Sequence, residues 1–168
     1  IICVDGGTKY AVELGLRPHI ILGDMDSIQK NHLGEFSREN VIIKKHPVEK
    51  EHTDTTLAVN EAFSLNPVEI IIIGALGTRF DHALANVHLL RAALEKGIPA
   101  RIIDEHNEIR LIAPGMNVEL NGQPGDLFSL LPLTLEVTGV NVAGARWPLS
   151  NATFEIGNPY GVSNRLAS

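Results

Sequence analysis

The stretch HIILGDMDS, residues 19–27, decides how the chain is to be read. Four mostly apolar residues, His19 to Leu22, read as a buried strand. Gly23 then breaks the run, and Asp24 and Asp26 follow one residue apart. In open α/β sheets, ligands bind outside the carboxyl ends of the strands, which is where this pair falls. Two carboxylates at i and i+2 can lean toward one point. Such an oxygen-rich site suits Mg²⁺, which takes one or two carboxylates together with substrate phosphate oxygens. The alternative reading of the same residues is a solvated turn with an Asx cap.

On either side of this stretch, the apolar runs IICV, HIIL, VIIK and VEIIIIGA alternate with the helical patterns TKYAVELG, TLAVNEAF and DHALANVHLLRAALEKG. That order implies βαβ units in an α/β fold, a mostly parallel sheet with flanking helices. The four isoleucines at 70–73 predict a strand covered on both faces. In the last helical pattern Ala83, Val87, Leu90 and Leu94 recur at helical spacing, and Gly97 with Pro99 supplies the stop. From about residue 109, short strand patterns are broken by PG, NG and GA pairs without a helical pattern, which predicts a smaller all-β, sandwich-like domain. The predicted domains are therefore 1–108 and 109–168. The opening IICVDGG already reads as a strand running into a turn, so a further N-terminal piece is expected.

Composition fits this frame: 168 residues, 44% hydrophobic and 20% charged, are the makeup of a soluble globular protein with a proper core. A single cysteine, Cys3, excludes an internal disulfide framework. With no signal-like or membrane-length apolar segment beside it, it favours a reducing, cytoplasmic setting. The net charge of −6, with 14 Lys and Arg spread along the chain, argues against a nucleic-acid protein. It also requires that any polyphosphate be gripped through a metal ion and a few placed basic groups, because the overall field repels it.

Two further stretches carry chemistry. In PVEKEHTDTTLAV, Glu51 and Asp54 precede a helical pattern. Asp54 alone reads as a helix cap, but with Asp24 and Asp26 on the same sheet edge it joins a carboxylate cluster that would repel itself without a divalent ion between its members. In GALGTRFDHALAN, the glycines and the start of the long helix offer free N–H groups to an anion. Arg79 adds a forked cation suited to phosphate oxygens. Asp81 reads as a cap, a ligand contact or both, and His82 and Asn86 share a helix face that lines either a cleft or plain surface. The remaining histidines show no zinc spacing, and GxSxG and GxxxxGK[ST] are both absent.

In order along the chain stand VDGG (4–7), GLRPHIILGDMDS (15–27), HPVEKEHTDTTLA (46–58), GALGTRFDHALANVHLL (74–90), SLLPL (129–133), WPL (147–149) and GVSN (161–164). Taken together these motifs make the chain resemble the bacterial thiamin pyrophosphokinases. The resemblance implies a homodimer of two-domain subunits, an α/β domain binding ATP and Mg²⁺, and a β-domain contributing to dimerisation and to a thiamin site between subunits. It further implies that Asp24, Asp26 and Asp54 bind the metal. Gly77, Thr78, Arg79, Asp81, His82 and Asn86 are then the candidates for nucleotide binding, and Glu51, Ser163 and Asn164 those for substrate binding. Gly77-Thr78 stands where relatives often have two glycines. The family's opening strand and its final strand, expected after Ser168, are not in this sequence. Trp147 reads as β-domain core.

The implied reaction is transfer of the pyrophosphoryl group of ATP to the hydroxyethyl oxygen of thiamin. Asp24, Asp26, Asp54 and Arg79 are its catalytic candidates, with Asp54 or Asp26 as general base. Two alternatives stand beside it. A DxD phosphohydrolase also places its aspartate after an apolar strand, but Ile28 stands where that motif wants Thr or Val. A non-catalytic thiamin- or nucleotide-binding relative would lack an acidic ligand.

Overall fold

Short β-branched runs pair in parallel where the sequence provides them: Ile2–Val4 (β1), Ile20–Gly23 (β2) and Ile42–Lys45 (β3) form a sheet in the order β1-β2-β3. The register sets Val4 beside Leu22 and Gly23 beside Lys45, so the three strands end along one edge. The computed structural model describes residues 1–25, 40–47 and 51–167. Asp26 lies outside the described residues. The chain divides into two compact units, Ile1–Pro114 and Gly115–Ser168.

In the first unit, Gly7–Glu13 (α1) packs on β1, and Asp54–Ser64 (α2) packs on β1 and β2 and also on Phe80–Glu95 (α3). A second sheet holds Ile70–Ile73 (β4) and Ala100–Ile103 (β5) in parallel, with Glu108–Arg110 (β6) antiparallel to β5. The α/β class and the mostly parallel pairing are thus as expected, with the strands among the described residues pairing as two three-stranded sheets. Cys3, Ala11 and Ile21 form one core; Ala75, Leu90 and Ile102, flanked by Ile72 and Val87, form another. Burial raises the pKa of the Cys3 thiol, which makes it a small apolar filler.

Two expectations fail here for definable reasons. The isoleucine run is covered on one face only: Ile70 is buried and Ile72 faces the core of α3, whereas Ile71 and Ile73 are 45% and 70% exposed. Side chains alternate across a strand, and among the described residues the core that α3 builds with β5 takes in Ile72. The buried positions of α3 are Asn86, Leu90 and Ala93, a stripe rotated from the one predicted, with a polar side chain in its middle. The stop is as expected. Gly97 has φ +69°, its N–H donates to the Leu94 carbonyl (2.9 Å), and the Ile98 N–H donates to Ala93 (3.0 Å), which together make a Schellman closure.

The second unit contains two antiparallel pairs, Leu127–Phe128 (β7) with Asn164–Arg165 (β10), and Glu136–Val142 (β8) with Leu149–Glu155 (β9). Phe154, 2% exposed, is its core, with Tyr160 tilted against it at 5.4 Å. Trp147 is not core. It lies in the β8–β9 connection, half exposed, with the Arg146 guanidinium 5.0 Å from its ring centroid. Pro148 ends the run before β9 begins, so the residues that read as one strand are a loop and a strand start. Among the described residues no helix is long and apolar enough to cross a membrane.

Leu90 and Leu84 lie on the same helix, one 2% and the other 40% exposed. Leu90→Ala is expected to lower unfolding stability by about 2–5 kcal/mol, and Leu84→Ala by much less, as read by urea denaturation.

Candidate functional site

At the carboxyl edge of the first sheet a cleft of about 510 Å³ is lined by Val4, Asp5 and Gly6 from the end of β1, by residues 51–55 at the start of α2, and by His82 from the first turn of α3. Each wall is there for a local reason. The β1–β2 ladder continues one step past the strand, where the Asp5 N–H donates to the Leu22 carbonyl at 3.1 Å. The Asp5 carbonyl then accepts from the Thr8 N–H (3.1 Å) and hydroxyl (2.7 Å), which starts α1. Thr53, not Asp54, caps α2, its hydroxyl accepting from the Thr56 N–H at 3.2 Å. Asp54 therefore enters the cleft as the first helical residue, where a carboxylate also complements the helix dipole.

The cleft brings together three carboxylates, Asp5, Glu51 and Asp54, with His52 and His82. Asp24 follows β2 directly and is half buried. Glu51, Asp54 and His82 were singled out in the sequence. Asp5 was not, although it repeats the pattern of Asp24, a carboxylate next to glycine after an apolar run. All the carboxylate donors are hard oxygens, which fits Mg²⁺ in kind. Among the described residues no three His, Cys, Asp or Glu side chains converge closely enough to hold an ion by themselves. Substrate phosphate oxygens commonly complete such a coordination shell.

The loop before α3 carries Gly77, Thr78 and Arg79, all exposed. Arg79 is the N-cap of α3 and makes no side-chain cap; Asp81 lies in the first turn. Their side chains pair in a fork, Nη2 to Oδ2 at 2.7 Å and Nε to Oδ1 at 3.3 Å. The hydrogen bond from Arg79 lowers the Asp81 pKa, and the Asp81 carboxylate raises that of Arg79. Whatever stability the pair contributes is present above the ordinary aspartate pKa and is lost as pH falls through the lowered one. Both groups are largely solvent-exposed, so the pair is a weak one.

Asn86 does not line the cleft. It is 7% exposed, and its Nδ2 donates to the buried Ala75 carbonyl at 2.9 Å. The residue thereby ties the loop leading to Arg79 back onto α3. In the second unit Asn164 is similarly committed: Nδ2 donates to the Trp147 carbonyl (2.8 Å), and Oδ1 accepts from the N–H groups of Trp147 (3.2 Å) and Arg165 (2.8 Å). Ser163 beside it is exposed at φ +65°, its N–H donating to the Ser129 hydroxyl at 3.1 Å.

Residues 1–102 match the family model described as thiamin pyrophosphokinase, catalytic domain, and residues 116–168 match the thiamin pyrophosphokinase vitamin B1 binding domain. The thiamine pyrophosphokinase of Bacillus subtilis is 30% identical over 163 residues, 97% of this chain and 76% of that protein. A crystal structure of thiamine pyrophosphokinase from Bacillus subtilis superposes with a TM-score of 0.88 at 29% identity, over 99% of this chain and 78% of the other. Thiamin pyrophosphokinase from Candida albicans, at 19% identity, shares the fold with a TM-score of 0.83 over the whole of this chain and 75% of its own.

Asn86→Ala leaves the Ala75 carbonyl buried without its donor, so a loss of about 1–3 kcal/mol in denaturant unfolding is expected. Asn86→Asp, which sets a carboxylate against that carbonyl, should not restore it.

Proposed function

This chain belongs to the thiamin pyrophosphokinase family, whose members are ATP-dependent enzymes, and on that premise we propose that it transfers the pyrophosphoryl group of ATP to the hydroxyethyl oxygen of thiamin, releasing thiamin diphosphate and AMP. The observation that carries this reading is the cleft at the strand ends. It gathers Asp5, Glu51 and Asp54 with His82, and the Asp5 carboxylate also accepts from the N–H of Met25, the residue after Asp24.

In this reaction a bond forms between the alcohol oxygen and the β-phosphorus, the α–β bridging bond breaks, and the hydroxyl proton passes to a base. Catalysis of this kind is mostly positioning and charge stabilisation. Mg²⁺, held by Asp24, Asp26 and Asp54, would neutralise the polyphosphate in a chain whose own charge is −6. Arg79 would exchange Asp81 for phosphate oxygens, for which its fork is equally suited. Gly77 and Thr78 bring exposed backbone alongside the nucleotide, and the first turn of α3 presents its N–H groups, with Asp81 and His82 at its rim. Asn86 serves the nucleotide indirectly, by holding the loop. The proton acceptor is a carboxylate of the cluster, Asp54 or Asp26.

For thiamin, Glu51 supplies a negative charge suited to a cationic substrate, and Ser163 supplies an exposed hydroxyl. Asn164 fixes the backbone on which Ser163 stands. The homodimer with thiamin at the subunit interface is supported by exposed apolar residues in the second unit, Leu131, Leu133, Leu135 and Val137 among them. A cytoplasmic setting is the one that a single cysteine, Cys3, free and buried, favours.

With ATP, Mg²⁺ and thiamin, equal and thiamin-dependent yields of thiamin diphosphate and AMP are expected by chromatography, and Asp24→Asn should lower turnover by about 10²–10³. Phosphate released without thiamin would mark a phosphohydrolase. Thiamin binding without turnover would mark a non-catalytic relative.

A further inference from the structure

Beside the cleft, one side chain reaches from β1 into the aspartate-bearing turn after β2. The Asp5 Oδ1 accepts a hydrogen bond from the Met25 N–H at 3.1 Å, across 20 residues of sequence. The same carboxylate lies over Gly23, where a β-carbon would overlap it. Gly23 has φ +141°, Asp5 itself φ +33° and Met25 φ +70°. Left-handed backbone at two non-glycine residues is costly and persists only where surrounding contacts over-determine it. Those contacts are present. The Asp5 backbone is fixed on one side by the Leu22 carbonyl and on the other by Thr8, which is 2% exposed. Asp24 sits between the two residues that Asp5 touches.

We propose that Asp5 is a positioning residue: by accepting the Met25 N–H and filling the space over Gly23, its carboxylate fixes the backbone on both sides of Asp24. The consequence for turnover rests on the reaction proposed above; the geometric role does not. The hydrogen bond needs an acceptor at this place, not a charge. Asparagine supplies the acceptor and tolerates left-handed backbone, whereas glycine relaxes the backbone and removes the acceptor.

The test is amide hydrogen exchange of the full chain without ligand, read at Met25 with Ile21 and Leu22 as controls, for wild type, Asp5→Gly and Asp5→Asn. Asp5→Gly should speed Met25 exchange by about 10- to 150-fold, the loss of a hydrogen bond to a charged group, with the controls unchanged. Asp5→Asn should stay within about fivefold of wild type. In turnover, Asp5→Gly should lower kcat about 10²-fold with little change in the KM for thiamin, and Asp5→Asn should recover to within about tenfold of wild type. Met25 exchange unchanged in Asp5→Gly, or lost in Asp5→Asn, overturns the proposal. So does an Asp5→Asn variant that keeps Met25 protected yet is as inactive as Asp5→Gly, because the carboxylate would then act on substrate or cation directly. A wild-type protein that forms no thiamin diphosphate would remove the reaction and leave the exchange result to decide the role of Asp5.

Discussion

The parallel pairing of β1 with β2 is the constraint on which the site depends. Ile21 and Leu22 are essentially unexposed and Cys3 is buried beside them, so the register between the strands is fixed by what each face must bury. That register sets the ends of the two strands level. Asp5 then stands opposite Gly23, and its carboxylate takes the place that a side chain at position 23 would occupy. Because α2 packs on the same two strands, its first turn, with Glu51 before it and Asp54 in it, arrives at the same edge. Hydrophobic packing thus does the work of assembling charge.

The assembled charge is of one sign, and this has a cost. Asp5, Glu51 and Asp54 share a cleft in a chain that is already acidic overall. Carboxylates brought together repel unless a cation or a proton lies between them. Toward a polyphosphate such a field is repulsive unless a cation accompanies it. Arg79 stands on the other side of this balance. Its pairing with Asp81 is solvent-exposed on both partners, so parting the two changes their solvation little.

The buried amides have a different role. Asn86 and Asn164 are each buried and each bind backbone, Asn86 at Ala75 and Asn164 at Trp147. Amides are well suited to this because they donate and accept without carrying charge, and so satisfy buried peptide groups at little electrostatic expense. The segment pinned by Asn86 leads on to the exposed Arg79, whereas Asn164 itself stands next to the exposed Ser163.

Much of this was legible in the residues themselves. The alternation of apolar runs with helical patterns determined the α/β class, the change of texture near residue 109 announced the β-rich end, and Gly97 with Pro99 marked the stop of α3. Such signals are local, a period or a backbone preference, and so can be read without the fold. Asp24, Asp54, Arg79 and His82 stood out as well, because a charged or polar group next to glycine or at a helix start has a recognisable position. Tertiary structure alone decided which faces were covered, leaving Ile71 and Ile73 exposed and turning Asn86 inward. It also decided that Trp147 lies in a loop, that Thr53 and not Asp54 caps α2, and that Asp5 reaches Met25. Each of these depends on which segment packs against which, and no single stretch of sequence contains both partners of such a contact.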